Sequence, residues 1–473
     1  MISIACVSRA PKPTSMNLLK RLGLGRSFDG LSLLRPRPSN GLRSVNPVPA
    51  SSSAGKDASR WVMLNSLVRQ MDDSVAADAR TVAEARTATR SHLRVALGHS
   101  PPPASSFLYY DVVDCGPGYK ACTYDPTIIT SNGDSVLFVL KHTVAGSNYF
   151  VYTAGAAVGR PPSLSLVPAR IIRLGAWQRS KASLTPENTG ILRCGDEEVL
   201  VAQLDNSSDD QGPMNKANLA VFRLGDREWE FKTAVPIVAE PGGKATIPWR
   251  GSENDKVVGV RDRFMCWVHY RNGVLVCDMA EEHLQLQYVP MPVVPPSWKD
   301  DYEDGNRPPI EDSRNLFGTD DGVLRFVSID LRCCCGGFGM SSCEHTRSAF
   351  MLTTWSLSLE TDGPMTWVKD TVLHCEELWA LHGYEGLPRV HPECPILSLQ
   401  NSDVVCFRVS EDDFTWMVEV DTRSKTLLSV VCCTTDAQKR YPHFPVKVDY
   451  HYGRIGLQYR SQDRLSTGRC DRY

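Results

Sequence analysis

The residues able to do chemistry are scattered along this sequence rather than gathered. The densest set of soft metal ligands is Cys333-Cys334-Cys335 with Cys343, Glu344 and His345. Thiolates and imidazole together suit zinc, which wants four ligands at tetrahedral angles. Three cysteines in a row work against that, because neighbours on a strand point to opposite faces and the C-x-x-C knuckle is missing. The segment reads as a cysteine-rich loop between two strands. Asp300, Asp304, Gly305 and Glu311 occupy the first, fifth, sixth and twelfth places of a calcium-loop pattern. Tyr302 stands at the third place and has no carboxylate, and Pro295, Pro296, Pro308 and Pro309 leave no room for flanking helices. A solvated acidic loop is expected there.

His391-Pro392-Glu393-Cys394 contains the H-x-E of zinc deaminases, but the partner P-C-x-x-C never appears and Cys432-Cys433 cannot replace it. A loop leading into a strand is expected. Nucleophile signatures (G-x-S-x-G, S-x-x-K with its companions, H-E-x-x-H) and phosphate-cradling glycine loops are missing from the sequence. Eleven histidines and 54 acidic residues select no pair by their spacing. No catalytic residue, metal ligand or cofactor is therefore assigned, and the binding residues stay unknown at this level. The short basic runs Lys439-Arg440 and Arg469 to Arg472 read as solvated ends rather than nucleic-acid contacts.

The chain that must position any site has 473 residues and a formal net charge of −2, which excludes a globally basic nucleic-acid binder. With 42% hydrophobic residues it has enough apolar side chains for a core, so it is not an acidic disordered chain. No apolar run approaches the ~20 residues a membrane-spanning helix needs. The 16 cysteines form no even framework, and Met1 to Cys6 is too short an apolar stretch for a secretory leader. Free, mostly buried thiols in a reducing compartment are expected.

Residues 1–56 carry nine basic residues and a single acid, Asp29, with frequent serine and a linker-like Ser51-Ser52-Ser53-Ala54-Gly55. That composition fits a plain disordered tail or an organelle transit peptide, and Met16 to Leu24 could form a short basic amphipathic helix. The expected division is a disordered basic leader over 1–58 and a folded body over 59–473. The body is expected to be cytoplasmic or nuclear, or in a plastid or mitochondrion if the leader is a transit peptide.

From Trp61 onward, short runs of β-branched and aromatic residues alternate with turns. Phe264 to Tyr270, then Asn272-Gly273, then Val274 to Cys277 reads as a hairpin, the Asn-Gly pair supplying positive φ. Asn132-Gly133, Asp321-Gly322 and Tyr452-Gly453 repeat the signal. A second motif is a strand, an acidic turn and a tryptophan: Leu219 to Leu224 with Trp229, Met351 to Leu359 with Trp367, and Val404 to Val409 with Trp416. The tryptophans are read as packing between sheets rather than a stacking platform. Gly273 and Gly322 lie 49 residues apart, a spacing that fits a propeller blade of four strands. Stacked β-sandwiches would give similar local signals. Helix is scarce: Ala76 to Leu97 is weakened by Thr81, Thr87 and Thr89, and Glu376 to Leu381 fits one short helix. The fold class expected is mainly β, a β-propeller-like array of short antiparallel sheets with few helices and a disordered N-terminal segment.

Several of these runs carry a family resemblance. Trp61-Val62-Met63-Leu64, Thr81 to Thr87, Pro101 to Ser106, Tyr149 to Tyr152 and Arg160 to Leu166 resemble plant proteins, expanded in grasses, that carry the domain of unknown function 1618. Asp262 to Tyr270 and Arg271 to Asp278 resemble the named domain itself, placed at about 245–390, with His269 where relatives usually show Asp. Leu286 to Pro292, Leu324 to Val327 and Thr354 to Leu357 extend the likeness, which covers about 59–460. The resemblance implies a likeness to F-box-associated β-propeller regions and no established activity, cofactor or catalytic residue. The function expected is a non-catalytic binding module with an unknown protein partner. A hydrolase or lyase with its site in a propeller channel, and a substrate-recognition adaptor in ubiquitin ligation, are the alternatives.

Overall fold

The computed structural model describes residues 60–71, 79–113, 124–143, 146–155, 160–173, 179–195, 198–205, 215–239, 254–293, 309–332, 349–359, 364–433 and 442–448. The chain divides into two compact units, 1–46 and 47–473, and every described residue falls in the second. The leader, the cysteine cluster at 333–345, the loop from Asp300 to Pro308 and the Tyr452-Gly453 motif lie outside the described residues.

Among the described residues the chain forms six successive sheets. The first contains β1 (Trp61–Asn65), β2 (Arg69–Gln70), β3 (Ala83–Arg86), β4 (His92–Gly98) and β5 (Ser105–Val113). The second runs β6 (Tyr124–Asn132), β7 (Ser135–His142), β8 (Gly146–Thr153) and β9 (Ser163–Val167). A small hairpin, β10 (Ile171–Arg173) and β11 (Arg179–Lys181), leads to the third: β12 (Thr189–Cys194), β13 (Glu198–Asp205), β14 (Lys216–Arg223) and β15 (Glu230–Val238). The fourth is β16 (Lys256–Val260), β17 (Phe264–His269), β18 (Gly273–Asp278) and β19 (Leu286–Pro290). The fifth is β20 (Arg314–Gly318), β21 (Val323–Leu331), β22 (Phe350–Ser358) and β23 (Val368–His374). After the short helix α1 (Cys375–Trp379) comes the sixth: β24 (Glu393–Leu397), β25 (Val404–Glu411), β26 (Phe414–Asp421) and β27 (Thr426–Cys432). The last strand, β28 (His443–Lys447), returns to the first sheet and pairs antiparallel with β1, Asn65 opposite His443.

Sheets two to six are antiparallel meanders, as the hairpin signals predict. Parallel pairing enters where β1 and β2 meet β5, and where Ile237-Val238 of β15 meet Leu286-Gln287 of β19 and join the third sheet to the fourth. Ala76 to Leu97 yields no α-helix in its described part; β3 and β4 occupy it. The short helix expected at Glu376 is α1, whose Glu377 accepts a hydrogen bond from the His374 backbone N–H at 3.0 Å.

Sheet faces explain the long apolar runs. In β17, Met265 and Trp267 belong to the core between the third and fourth sheets, while Phe264, Cys266 and Val268 belong to the core between the fourth and fifth. Successive side chains of a strand point to opposite faces, so a strand buried on both faces must be apolar throughout. β1 repeats this: Val62 and Leu64 pack with the second sheet, and Trp61 and Met63 with the fifth and sixth. The first sheet therefore meets the last, and the apolar layers run between consecutive sheets. First strands lie beside first strands, from β28 through β6, β12, β16 and β20 to β24.

Turn chemistry agrees in part. Gly133 and Gly322 take φ of +57° and +78° in the β6–β7 and β20–β21 turns. Gly273 does not use that freedom. It sits in β18 opposite His269, and a Cβ there would lie 2.4 Å from the Val289 carbonyl oxygen. Close packing, not a left-handed turn, calls for glycine at this position.

Candidate functional site

The first strands end around a channel of about 320 Å³. Its wall combines Thr130, Ser131 and Asn132 of β6, Lys256 to Gly259 of β16, Leu316 to Gly318 of β20, Leu397 of β24, and Phe444, Pro445 and Lys447 of β28. The turns Thr319 to Asp321 and Ser398 to Ser402 complete the mouth.

One tripeptide fixes much of this wall. Thr130 Oγ1 donates to the Val257 carbonyl at 3.2 Å, and Ser131 Oγ to the Pro445 carbonyl at 3.1 Å. Asn132 Nδ2 donates to the Gly259 carbonyl at 2.9 Å, while its Oδ1 accepts the Arg193 N–H at 2.9 Å. Three consecutive residues thus tie β6 to β12, β16 and β28. The strands come close enough that a Cβ on Gly318 would lie 2.2 Å from the Gly259 carbonyl oxygen. At the mouth, Lys447 pairs with Asp320, Thr319 Oγ1 donates to Asp321, and Arg325 Nη1 lies 3.5 Å from Asp370.

Lys256 brings the charge to the wall. Its ammonium donates to Asn315 Oδ1 at 2.9 Å and stands 4.8 Å from the centre of the Phe317 ring. Burial holds its pKa down to about 8, against the through-space pull of Glu311. Beside it, Asp255 accepts the Tyr270 N–H at 2.6 Å, and burial still raises its pKa. Burial likewise raises Glu311, with Asp255 and Asp312 adding negative charge nearby. Arg314, 1% exposed, donates to the Tyr270 carbonyl at 2.7 Å and lies 3.6 Å from Asp330, which also accepts Ser328 Oγ at 3.0 Å. This fully partnered network anchors the start of β20.

Several expected candidates are placed. Glu311 of the calcium-like loop sits in a single 3-10 turn, Ile310–Asp312, near Lys256. Glu393 opens β24, as a loop leading into a strand requires, and accepts a hydrogen bond from Arg408 Nη2 at 2.9 Å. Cys394 Sγ donates to Asp312 Oδ1 at 3.3 Å, and burial pushes its thiol up to about 12. His391 packs edge-on to Phe350 and is held down to about 4 by burial. Among the described residues, no three His, Cys, Asp or Glu side chains gather to hold a metal ion. The tryptophans pack as expected: Trp229 tilts against Phe222 in the core between the second and third sheets, and Trp267 is fully buried. Cys266, Cys277, Cys375 and Cys406 are buried free thiols.

Sequence reasoning missed Lys256, Asn132 and Arg314. Lys256 had a signal: one cation leading the apolar run Val257-Val258-Gly259-Val260. Asn132 was visible only as a turn residue.

Comparison with known proteins places part of this chain. Residues 267–406 match the model of a protein family of unknown function, DUF1618, so the chain carries that domain, and the likeness read from Trp267 to Asp278 holds. No curated protein matches. Among solved structures, a functionally unknown protein from Desulfotomaculum acetoxidans DSM 771 is 10% identical, covering 80% of this chain and 91% of that one at a TM-score of 0.30. An oligogalacturonate lyase in complex with manganese is 11% identical, covering 75% and 85%, at a TM-score of 0.28.

Proposed function

We propose that this chain, a carrier of domain 1618, is a non-catalytic β-propeller-like binding module whose recognition surface is the channel mouth. One observation carries the reading. Side chains and turns from the first strands of several sheets converge on a single depression, and the Thr130-Ser131-Asn132 hub holds its wall in place. Loops on a rigid scaffold are suited to recognition, because little ordering entropy is spent when a partner docks. The mouth offers hydroxyls, amides and paired charges at Thr319, Asp320, Ser398, Gln400 and Ser402, a lining that selects by hydrogen bonding.

Affinity capture from native tissue, followed by the same capture with Asp320→Lys and Gln400→Ala, tests it. A reproducible partner retained by the wild type and lost from the variants is expected. Capture of no reproducible partner, or a partner indifferent to both substitutions, overturns it.

A second reading draws on Lys256, Asp255 and Glu311, whose protonation is shifted by burial beside the channel. Such groups could move protons in a hydrolase or lyase. Turnover of chromogenic esters or glycosides that disappears in Lys256→Gln would favour it over the binding module.

A further inference from the structure

Two cations that line the channel keep donors without acceptors. Lys256 has three N–H donors, and the structure gives its ammonium one acceptor, Asn315 Oδ1 at 2.9 Å. Arg325 has five. Its Nη1 lies 3.5 Å from Asp370 and its Nη2 3.9 Å from Asp321, both beyond ordinary hydrogen-bond length, and its Nε is buried without a partner. The two carboxylates have donors of their own: Thr319 Oγ1 donates to Asp321, and Ser356 Oγ donates to Asp370 at 2.9 Å.

Strand register brings these groups together. Arg325 of β21 stands directly opposite Phe317 of β20, so both side chains leave the same face of the fifth sheet. The Lys256 ammonium stands 4.8 Å from the centre of that same Phe317 ring. Its acceptor, Asn315, lies two residues before Phe317 on β20 and therefore on the same face. Phe317 belongs to the core shared with the sixth sheet, whose Leu397 faces the same channel. Lys256, Phe317, Asp321 and Arg325 all line that one channel.

Charge chooses the ligand. Among the described residues the lining carries Lys256, Arg325, Lys447, Asp320 and Asp321, and Asp370 stands beside Arg325. Cations and carboxylates balance, so a ligand with a net charge would leave one charge unmatched in a partly enclosed space. Donors are nevertheless in surplus at Lys256 and Arg325, while the Asp321 side chain, 62% exposed, keeps lone pairs for a further donor. A neutral molecule that carries both an anion and a cation meets both demands. The 3.9 Å gap between Arg325 and Asp321 sets its scale. A carboxylate at the guanidinium and an ammonium at Asp321 must be close neighbours in the ligand, as they are on the single carbon of an α-amino acid. The channel's volume of about 320 Å³ admits such a molecule, with Phe317, Leu316 and Leu397 to cover an apolar side chain.

We propose that Arg325, Asp321 and Lys256 bind a free α-amino acid with an apolar side chain, its carboxylate taken by Arg325 and Lys256 and its ammonium by Asp321. This rests on the binding-module reading and names a ligand class for the same channel.

The full chain is titrated by calorimetry with L-leucine, and with isovalerate and isoamylamine, each of which keeps the apolar group and one of the two charges. Saturable binding of leucine is expected, with both single-charge analogues weaker by about tenfold or more. Arg325→Gln and Asp321→Asn should each weaken leucine by about tenfold, and Lys256→Met by several-fold. Asp321→Asn should leave isovalerate bound no more weakly than by the wild type, a split that a merely structural role would not produce. Arg263→Gln changes a cation that pairs with Asp278 outside the channel and should bind leucine as the wild type does. Folding of each variant is followed by circular dichroism. No saturable response to leucine overturns the proposal, as does isovalerate or isoamylamine binding as tightly as leucine. Undiminished leucine binding by Arg325→Gln or Asp321→Asn overturns it too, as does an equal loss of leucine and isovalerate in Asp321→Asn. If leucine fails while a captured partner still depends on Asp320 and Gln400, the amino-acid site falls and the binding module stands. If leucine binds and no partner is captured, the site stands and recognition of a protein falls.

Discussion

Ser105 Oγ lies 2.7 Å from Nε2 of His443, 338 residues further along the chain, inside the protein. Asn65 Nδ2 approaches the same ring nitrogen at 3.4 Å. An amide nitrogen can only donate, so Nε2 accepts and the imidazole is neutral at that atom. Burial, with the Arg408 charge adding to it, holds this histidine down to about 4. Serine, asparagine and histidine here clasp β5 and β1 to β28 and so join the two ends of the array. The pairing looks like an activated nucleophile, but both residues are enclosed, so its work is structural.

That clasp makes stability depend on pH. The folded pKa of His443 is depressed to about 4 from an ordinary 6.5. Between those values the unfolded chain binds the extra proton, so stability is complete above about pH 6.5 and falls as pH drops toward 4. His391, also held to about 4, adds in the same window. Each contributes roughly 3 kcal/mol across the full window, to order of magnitude. Denaturant midpoints measured from pH 7 to pH 4 should fall, and His443→Gln should flatten the slope. An acid limb of equal steepness in the variant would refute this.

Asn132→Ala removes a donor to Gly259 and an acceptor for Arg193 at once. Each group left unpaired costs about 1–3 kcal/mol, so a total loss of ~2–6 kcal/mol is expected. Asn132→Asp keeps the acceptor and should lose less. Urea unfolding of both variants checks the order.

Gly318→Ala should destabilise more than ordinary overpacking, about 1–3 kcal/mol, because its Cβ meets backbone rather than a movable side chain. Gly195, whose Cβ position is open, is the control for packing, although its own φ of +64° adds backbone strain. Thermal midpoints should rank Gly318→Ala as the worse of the two.

Arg314→Met leaves Asp330 enclosed with its charge unmatched and the Tyr270 carbonyl without its donor. Breaking such a pair costs about 3–5 kcal/mol. The double variant Arg314→Met, Asp330→Leu should recover part of the loss, which a double-mutant cycle measures.

Lys256 should behave in the opposite sense. Its folded pKa is lowered, so at neutral pH the protonated amine opposes folding. Lys256→Met should raise the unfolding free energy by about 1–3 kcal/mol, a cost that natural proteins bear at binding positions. A destabilised variant would show that the amine is a structural contact.

The strands were legible because both-face burial writes itself as continuous apolar runs, as in Phe264 to Val268 and Val136 to Leu140. The hairpins at Asn132-Gly133 and Asp321-Gly322 were legible because positive φ selects residue type. The closure of β28 on β1 was not, since pairing partners hundreds of residues apart leave no local periodicity. Nor was the wall of the channel. Asn132, Lys256 and Asn315 come from separate stretches, and their meeting is set by how sheets stack, not by any spacing along the chain.

The β28–β1 pairing also bears on biosynthesis. Asn65 and His443 are 378 residues apart, so a ribosome delivers nearly the whole body before the partner of β1 emerges. Throughout that interval one edge of Trp61–Asn65 stays open as a template for foreign strands, even while β5 covers the other. Nascent chains stalled anywhere between these two residues should need chaperone protection, and completion of β28 should release them from it in one step.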